Sequence, residues 1–248
     1  MNELTYGIEI YIESTGKTYH TLDDWDLALG NNNYIGTPEM QTTYIQIPGR
    51  DGLLDASESI TGRRIYTKRP LAFELGGKRP RLNWDSIISL WRNEINGRIC
   101  RLVIDNDKSY FWRGRTYIEE FDRKRELGTF KLTVPDADPY KYSVITSADP
   151  WKWDPFNFET GIITYIGAIS VNGSRTVTIP HGYMPTCPEI YVSNKTSGTF
   201  KVTYDGTAYD LAVGMNKIPS IMIGGDNDVT LTFTGTARVE IVYRSGSL

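Results

Sequence analysis

The chain has few of the residues on which most catalytic and metal sites depend. It contains two cysteines and two histidines in 248 residues. Cys100 and Cys187 are too few and too far apart for a disulfide framework, and neither they nor His20 and His181 have zinc-ligand spacing. Two free thiols are typical of assembly in a reducing cytoplasm. We therefore expect no structural metal and no disulfide.

Long apolar runs and a strong net charge are also absent from the sequence. No run approaches the ~20 apolar residues that span a bilayer, and no basic-then-apolar signal segment opens the chain, so we expect no membrane insertion. The 27 Lys and Arg against 30 Asp and Glu give a net charge of -3, whereas nucleic-acid-binding domains are usually strongly basic. We therefore expect no specific nucleic-acid binding.

Catalytic motifs are missing as well. The sequence has no Gly-x-Ser-x-Gly elbow and no phosphate-cradling glycine loop ahead of a helix. Glu119 and Glu120 are adjacent on a predicted strand, so their side chains point to opposite faces and cannot flank one glycosidic bond. Residues 105–107 and 226–228 lack the glycine and glutamate of a calcium loop and are predicted to be turns. We predict no catalytic residue, no metal site and no cofactor, and a glycoside hydrolase is the least favoured hypothesis.

The residues that are present indicate a mainly β protein of two domains. Aromatic residues make up 12% of the chain, with 16 tyrosines, and such residues favour pleated sheets. Residues 1–145 hold 20 of the 27 basic and 21 of the 30 acidic residues, which favours two domains with different surroundings. We predict a first domain over 1–145, a linker containing proline and tryptophan over 146–158, and a second domain over 159–248.

The first domain is predicted to be an α+β unit with one helix. Apolar positions at helical spacing over residues 84–95, with Asn83 as the N-cap, predict that helix. Two strand-like runs, 44–47 and 65–75, flank a loop in which proline and glycine favour a turn. Residues 23–29 are ambiguous between one helical turn and a short strand.

The second domain is predicted to be a β-sandwich without helices. Asp205-Gly206 between two strands is a strong hairpin signal, and 172–173, 224–227 and Gly235 are predicted to be further turns. Eight short strands at this spacing are typical of a sandwich. The predicted strands cover residues 162–166, 176–179, 189–192, 200–204, 207–211, 217–223, 229–233 and 238–243.

Two neighbouring features mark a candidate interface between subunits or with a partner. One is the turn Pro-Gly-Arg-Asp-Gly over residues 48–52, and the other is a basic strand edge that follows it. Neither has a reactive residue beside a base, so both suit pairing or docking better than catalysis. The candidate interface residues are Pro48, Gly49, Arg50, Asp51, Gly52, Arg63, Arg64, Tyr66, Lys68 and Arg69.

These landmarks resemble the distal tail proteins, the Dit family, of bacteriophages with long non-contractile tails. The resemblance is carried by the Pro-Gly-Arg-Asp-Gly turn, the strand Gly62-Arg63-Arg64-Ile65-Tyr66, and the apolar strand ending in Phe73-Glu74-Leu75. Residues 137–142 and the closing run 200–248 support it, so the landmarks span most of the chain. The second domain resembles a galectin-like, or carbohydrate-module-like, sandwich.

The resemblance implies a structural, non-enzymatic protein of the phage tail tip, or baseplate, that is assembled in the host cytoplasm. Six copies would form a ring between the major tail tube protein and the tail-associated or tail-spike protein, and the second domain would dock a receptor-binding protein. In such a ring the basic edge can meet an acidic neighbour. The acidic candidates are Asp23, Asp24, Asp26, Glu119 and Glu120.

The alternative function is a carbohydrate-binding module for host cell-wall glycans, because the second domain resembles sugar-binding sandwiches. Tyr183, Tyr191, Tyr204 and Tyr209 are its candidate aromatic platform. Fold alone does not imply that function, and no tryptophan follows Trp153. The sequence therefore favours the structural hypothesis.

Overall fold

The computed structural model describes residues 5–59, 61–78, 81–124, 127–150, 165–196 and 198–248. The side chains at positions 78, 81–83, 120, 123 and 124 are not described. The chain divides into two compact units, Met1–Lys141 together with Leu248, and Tyr142–Ser247. Most of the linker proposed over residues 146–158 lies outside the described residues.

In the described residues, the first unit is an antiparallel sheet with two helices. Its elements are β1 (Ile8–Ile12), β2 (Thr18–His20), α1 (Thr21–Trp25), β3 (Ala28–Leu29), β4 (Tyr34–Ile35), β5 (Tyr44–Gln46), β6 (Leu53–Asp55), β7 (Arg69–Lys78), α2 (Arg81–Glu94), β8 (Arg98–Ile104), β9 (Tyr110–Lys124) and β10 (Leu127–Ala137). The strands run in the order β2-β1-β8-β9-β10-β7-β3, with β4 also paired to β7. Strands β5 and β6 pair only with each other, as a separate two-stranded sheet.

Helix α2 carries the apolar stripe that the sequence predicted and buries it in the core of the first unit. Trp84, Trp91 and Ile95 are fully buried there, and the Trp91 ring lies 4.9 Å from that of Phe130 on β10. The helix begins at Arg81, so Asn83 lies inside its first turn and the predicted N-cap is wrong. The ambiguous segment after His20 is α1 followed by β3.

The second unit is built entirely from strands in the residues that the structure describes. They are β11 (Lys141–Ser143), β12 (Ala168–Ile179), β13 (Gly182–Thr186), β14 (Glu189–Ser193), β15 (Lys201–Tyr204), β16 (Thr207–Asp210), β17 (Gly214–Lys217), β18 (Ile223–Gly225), β19 (Val229–Val242) and β20 (Gly246–Ser247). One sheet has the order β16-β15-β19-β14-β17, with β12 also paired to β19, and β13 and β18 form a second, two-stranded sheet. The predicted Asp205-Gly206 hairpin joins β15 to β16.

Two glycines that the sequence suggested as turns lie instead inside long strands. Gly173 and Gly235 are directly paired in the register of β12 and β19, which runs unbroken from Ala168 to Ile179. Gly235 has a φ of 120°, and a Cβ there would lie 2.8 Å from the carbonyl oxygen of Thr199. Glycine is needed at this point because another backbone passes close by. The turn predicted at Gly235 is therefore wrong.

The mainly β class predicted from the sequence is confirmed, with two helices rather than one. The core of the first unit lies between α2 and one face of the sheet. The core of the second unit gathers inward residues of both its sheets, including Phe200 and Phe233 with ring centroids 6.1 Å apart. The strand predicted over residues 162–166 falls largely outside the described residues.

Candidate assembly interface

The segment between β4 and β7, residues 37–68, forms a hairpin that we call the arm. Its base is a short ladder, in which the Gln41 N–H donates to the Ile65 carbonyl and the Thr67 N–H to the Glu39 carbonyl, both at 2.8 Å. Beyond the ladder, β5 and β6 pair in antiparallel register from Tyr44 opposite Asp55. The runs 44–47 and 65–75 were predicted as the strands that flank the turn, whereas the strand that follows the turn and pairs with β5 is β6. The chain after the turn therefore returns at once and builds a separate projecting element.

The arm ends in the predicted Pro-Gly-Arg-Asp-Gly turn. The Arg50 N–H donates to the Ile47 carbonyl at 3.2 Å, and Gly49 and Gly52 have φ of 81° and 78°. Glycine adopts such angles without steric cost, which explains its presence on both sides of Arg50 and Asp51. All five turn residues, 48–52, are exposed.

The arm exposes apolar side chains that the sequence reasoning missed. Tyr44 is 55% and Leu53 58% exposed, and Ile45, Ile47 and Leu54 are also exposed. Contiguous exposed apolar surface commonly marks an interaction site. The signal was available, since Leu53-Leu54 follows the turn directly, but the loop predicted between the runs 44–47 and 65–75 included those residues.

The base of the arm carries a cluster of basic and aromatic residues. Arg63, Arg64 and Lys68 are exposed, and the rings of Tyr66 and Tyr140 meet edge-on at 6.0 Å. Burial raises the pKa of Tyr140, with a further rise from Tyr66, while Arg63 and Arg64 act in the opposite direction. Both arginines therefore act electrostatically on the tyrosine pair. We call Arg63, Arg64, Tyr66, Lys68 and Tyr140 the basic cluster.

Arg69, the last of the predicted interface residues, is buried within its own subunit. It is only 6% exposed. Its Nε donates to the Gly36 carbonyl at 2.5 Å and its Nη1 to the Pro139 carbonyl at 3.0 Å. Its guanidinium carbon lies 4.8 Å from the centre of the Trp112 ring, and burial lowers its pKa. Arg69 therefore anchors the arm to the sheet and does not belong to an exposed basic edge.

The predicted interface residues thus form two groups. The turn at the tip, 48–52, is separated from the basic cluster by the strands between them, roughly 20 Å of extended chain at ~3.3 Å per residue. Tyr66 links the basic cluster to the ladder through its pairing with Met40. The structure brings the members of each group together but keeps the two groups apart.

The acidic candidates also separate. Asp23 and Asp24 lie on α1, where the Asp24 carboxylate accepts from the His20 N–H at 2.7 Å. The Asp23 side chain is 79% exposed, with its carboxylate 3.1 Å from His20 Nδ1. Asp26 ends that helix in the left-handed conformation. Glu119 is exposed on β9.

Glu13, Arg101, Arg113 and Asp138 form an internal ionic network in the first unit. Glu13 accepts from Arg101 and from Arg113 at 2.9 Å in each case, and Arg113 also lies 3.3 Å from Asp138. Hydrogen bonding to Arg113 is the largest cause of the lowered pKa of Glu13. This network stabilises the sheet by joining residues of β8 and β9 to the end of β1 through one carboxylate.

The structure gives little for metal or membrane chemistry. Among the described residues, no group of three His, Cys, Asp or Glu is placed to hold a metal ion. The predicted turn at 105–107 has Asp105 accepting from the Gly7 N–H at 2.6 Å. Cys100 is buried, and that burial raises its pKa. No helix in the described part of the chain has the length and apolarity to cross a bilayer.

The candidate aromatic platform of the second unit is divided. Tyr183 and Tyr191 are exposed but lie on different sheets, in β13 and β14. Tyr204 and Tyr209 pack against the core instead, and the Tyr204 hydroxyl lies 3.1 Å from the Met222 carbonyl. Only Tyr191, whose hydroxyl donates to Glu189 at 3.1 Å, combines exposure with a charged neighbour.

Comparison with known proteins shows the fold. No family model and no curated sequence matches the chain. Among solved structures, the Dit protein of phage SPP1, described as a paradigm of the hub adsorption apparatus in phages that infect Gram-positive bacteria, matches 98% of this chain and 99% of its own. The TM-score is 0.58 at 13% sequence identity. The fold implied by the resemblance to Dit proteins is thus confirmed over nearly the whole chain.

Two further matches come from the baseplate of phage P2 in its activated conformation. The form with Ca matches 95% of this chain and 98% of the other, at 11% identity and a TM-score of 0.41. The form with Sr matches 96% and 98%, at 11% identity and a TM-score of 0.38. TM-scores this low do not establish a shared fold.

Proposed function

We propose that this chain is a structural protein of a bacteriophage tail tip, with no catalytic activity and no cofactor. The observation that carries the proposal is the fold shared with the SPP1 Dit protein across 98% of this chain. Because both units are covered, the likeness involves the whole architecture and not one common module. The protein would be assembled in the host cytoplasm and reside in the virion.

The proposed assembly is a ring of six copies. The exposed apolar side chains of the arm, led by Tyr44 and Leu53, support this proposal, because a neighbouring copy would remove them from water. The arm strands also present backbone groups at their outer edges, and ring closure would cover such edges, which otherwise template aggregation. Residues 48–52 at the tip would then lie in the contact between copies.

The proposed partners follow from such a ring. One face would meet the major tail tube protein and the other the tail-associated or tail-spike protein. The second unit would dock a receptor-binding protein. DNA would pass through the ring without specific binding, in keeping with a net charge of only -3.

Electron microscopy of the purified full-length chain, alone and mixed with its tail tube protein, tests the proposal. We expect six-fold rings, and gold-labelled antibody against the chain should decorate the tail tip of intact virions. Two results together would overturn the proposal. The antibody would label the capsid or no part of the virion, and neither the chain alone nor its mixture with the tail tube protein would form rings.

A second candidate function, glycan binding by the second unit, is favoured by one observation. Tyr191 is exposed beside Glu189, and Met215 lies directly across from it on β17. An apolar ring next to a carboxylate can recognise a sugar. Calorimetric titration of the full chain with host wall polysaccharide tests this, with Tyr191→Ala as the variant and Tyr183→Ala as the control. Equal heats from both variants and the wild type would reject the site.

A further inference from the structure

Positive charge is concentrated at the base of the arm. Residues 61–69 contain four basic residues and no acidic one. Because Arg69 is buried in its own subunit, the outward charge comes from Arg63, Arg64 and Lys68. The basic cluster is therefore a local positive surface on a chain that is slightly acidic as a whole.

The two tyrosines of the basic cluster are held in place before any partner arrives. Tyr66 is fixed through the ladder to Met40 and by its edge-on contact with Tyr140. Tyr140 follows Pro139, whose carbonyl accepts from the buried Arg69. Arginine and lysine side chains are donors suited to carboxylates, and Arg63, Arg64 and Lys68 are exposed at this place. The two tyrosines, fixed in this way, lose little conformational freedom when a partner binds.

A complementary negative surface lies elsewhere on the same unit. Helix α1 has Asp23 and Asp24 in its first turn and no basic residue in its last turn. The Asp23 side chain is 79% exposed, so its carboxylate is accessible to a partner. We call Asp23 and Asp24 the acidic turn.

We propose that the basic cluster of one copy binds the acidic turn of the next copy. The inference rests on the proposed ring and names the pair of charged surfaces that joins its members. Two different patches of one chain that fit each other make a heterologous contact, which closes into a ring when the rotation allows. Such a contact sets the register and direction of the ring.

Duplex DNA is the competing ligand for a basic cluster, and the charge balance of the unit disfavours it. Residues 1–141 hold 20 basic and 21 acidic residues. A phosphate backbone is attracted by the net field of a whole face, whereas a compact acidic turn needs only the local cluster. The separation of charges within a nearly neutral unit therefore favours a second copy.

Charge exchange tests the contact. One variant carries Arg63→Glu and Arg64→Glu, the other Asp23→Arg and Asp24→Arg, and sedimentation velocity measures self-association of the full chain at 50 and 500 mM NaCl. We expect the wild type to associate, more weakly at high salt, and each variant alone to lose roughly tenfold or more in affinity through like-charge repulsion. An equimolar mixture of the two variants should regain association at least in alternating pairs.

The control is Arg92→Glu with Arg238→Glu, two exposed arginines outside the basic cluster, and it should associate like the wild type. Thermal unfolding of every variant identifies any that fails to fold. In that case the single variants Lys68→Glu and Asp23→Arg replace the two double variants. Unchanged association of the reversed variants, a mixture that stays as weak as its components, or a wild type that stays monomeric would overturn the contact.

Loss of binding to a 30-base-pair duplex with association intact would assign the cluster to DNA and overturn it equally. Tail-tip labelling of virions is independent of all these outcomes, so the proposed function can stand if the contact fails.

Discussion

The rings of Trp25 and Trp91 meet with their centroids 4.7 Å apart and their planes inclined by 57°. The contact joins the five-residue helix α1, which carries Asp23 and Asp24, to the main helix of the first unit. A helix of one turn has little stability of its own. The position of the acidic turn therefore depends on a buried aromatic pair. A change in the core at this pair would also move the surface proposed for assembly.

Trp91→Ala should destabilise the first unit by about 3–5 kcal/mol, because a fully buried indole is replaced by a cavity. Its Nε1 has no hydrogen-bond partner among the described atoms, so the loss is one of packing. Urea unfolding followed by circular dichroism measures it. Leu90→Ala, an exposed neighbour on α2, should change the stability by less than about 0.5 kcal/mol, and equal effects at 90 and 91 would contradict the buried stripe.

Arg69→Met should cost about 2–4 kcal/mol, since it leaves the carbonyls of Gly36 and Pro139 without their charged donor. The arm should also loosen, because Arg69 ties its end to the sheet. Hydrogen exchange at Gln41 and Thr67 would report this as faster exchange of the ladder amides. Lys68→Met, one residue away and exposed, should leave both stability and exchange unchanged. Protection in Arg69→Met that equals the wild type would argue against the anchoring role.

Asp51→Lys should impair ring or tail assembly while the isolated chain stays folded. The residue lies in the exposed tip turn, so it contributes little to the stability of a single subunit. Ring counts in electron micrographs measure the effect, and thermal unfolding checks the fold. Asp136→Lys, an exposed acid on β10, is the matched control. Abundant normal rings from Asp51→Lys would remove the tip from the interface.

The stability of the first unit should depend on Glu13 and on pH. Arg113 holds the pKa of Glu13 below its ordinary value, so this pairing stabilises the fold above the unfolded pKa and is lost as pH falls through the folded one. We expect Glu13→Gln to cost about 1–3 kcal/mol near pH 7 and the difference from wild type to shrink below about pH 4. Urea unfolding across pH measures this. A difference that persists unchanged in acid would contradict the ionic origin, and Glu9→Gln, an exposed residue on β1, serves as the reference.

Ser147→Ala should destabilise the second unit. The fully buried Ser147 hydroxyl donates to the Ile241 carbonyl at 2.8 Å and accepts from the Tyr243 N–H at 2.9 Å. Without it, two buried backbone groups lose a partner, at a cost of about 1–3 kcal/mol. Differential scanning calorimetry measures the shift, and Ser174→Ala, exposed on β12, is the control. Equal transition temperatures in the two variants would show that the two hydrogen bonds of the Ser147 hydroxyl are dispensable.

The parts of the fold that depend on local pattern were accessible from the sequence. The helical spacing of Trp84, Trp91 and Ile95 predicts α2, and Asp205-Gly206 predicts the β15–β16 hairpin, because side-chain periodicity and turn chemistry act over a few residues. The predicted start of α2, at residue 84, was wrong by three positions, since capping is a weak local preference that neighbouring structure easily changes.

Features set by distant contacts were not accessible. The burial of Arg69 depends on Gly36, Pro139 and Trp112, which lie 33 to 70 residues away in sequence. In a one-dimensional pattern Arg69 looks the same as its exposed neighbour Lys68. Gly235 likewise resembles a turn until Thr199 is known to pass beside it. The interface candidates therefore stay predictions, and one of their members, Arg69, has a different role within its own subunit.

Under the proposed function, the exposed apolar side chains of the arm have a consequence for the order of events in an infected cell. A newly synthesised chain exposes Leu53 and Tyr44 to water. It can either add to a growing particle or aggregate with other free chains. The rate of aggregation rises more steeply with chain concentration than the rate of addition to a limited number of growing sites. Modest and well-timed synthesis would therefore serve virion yield better than abundant synthesis.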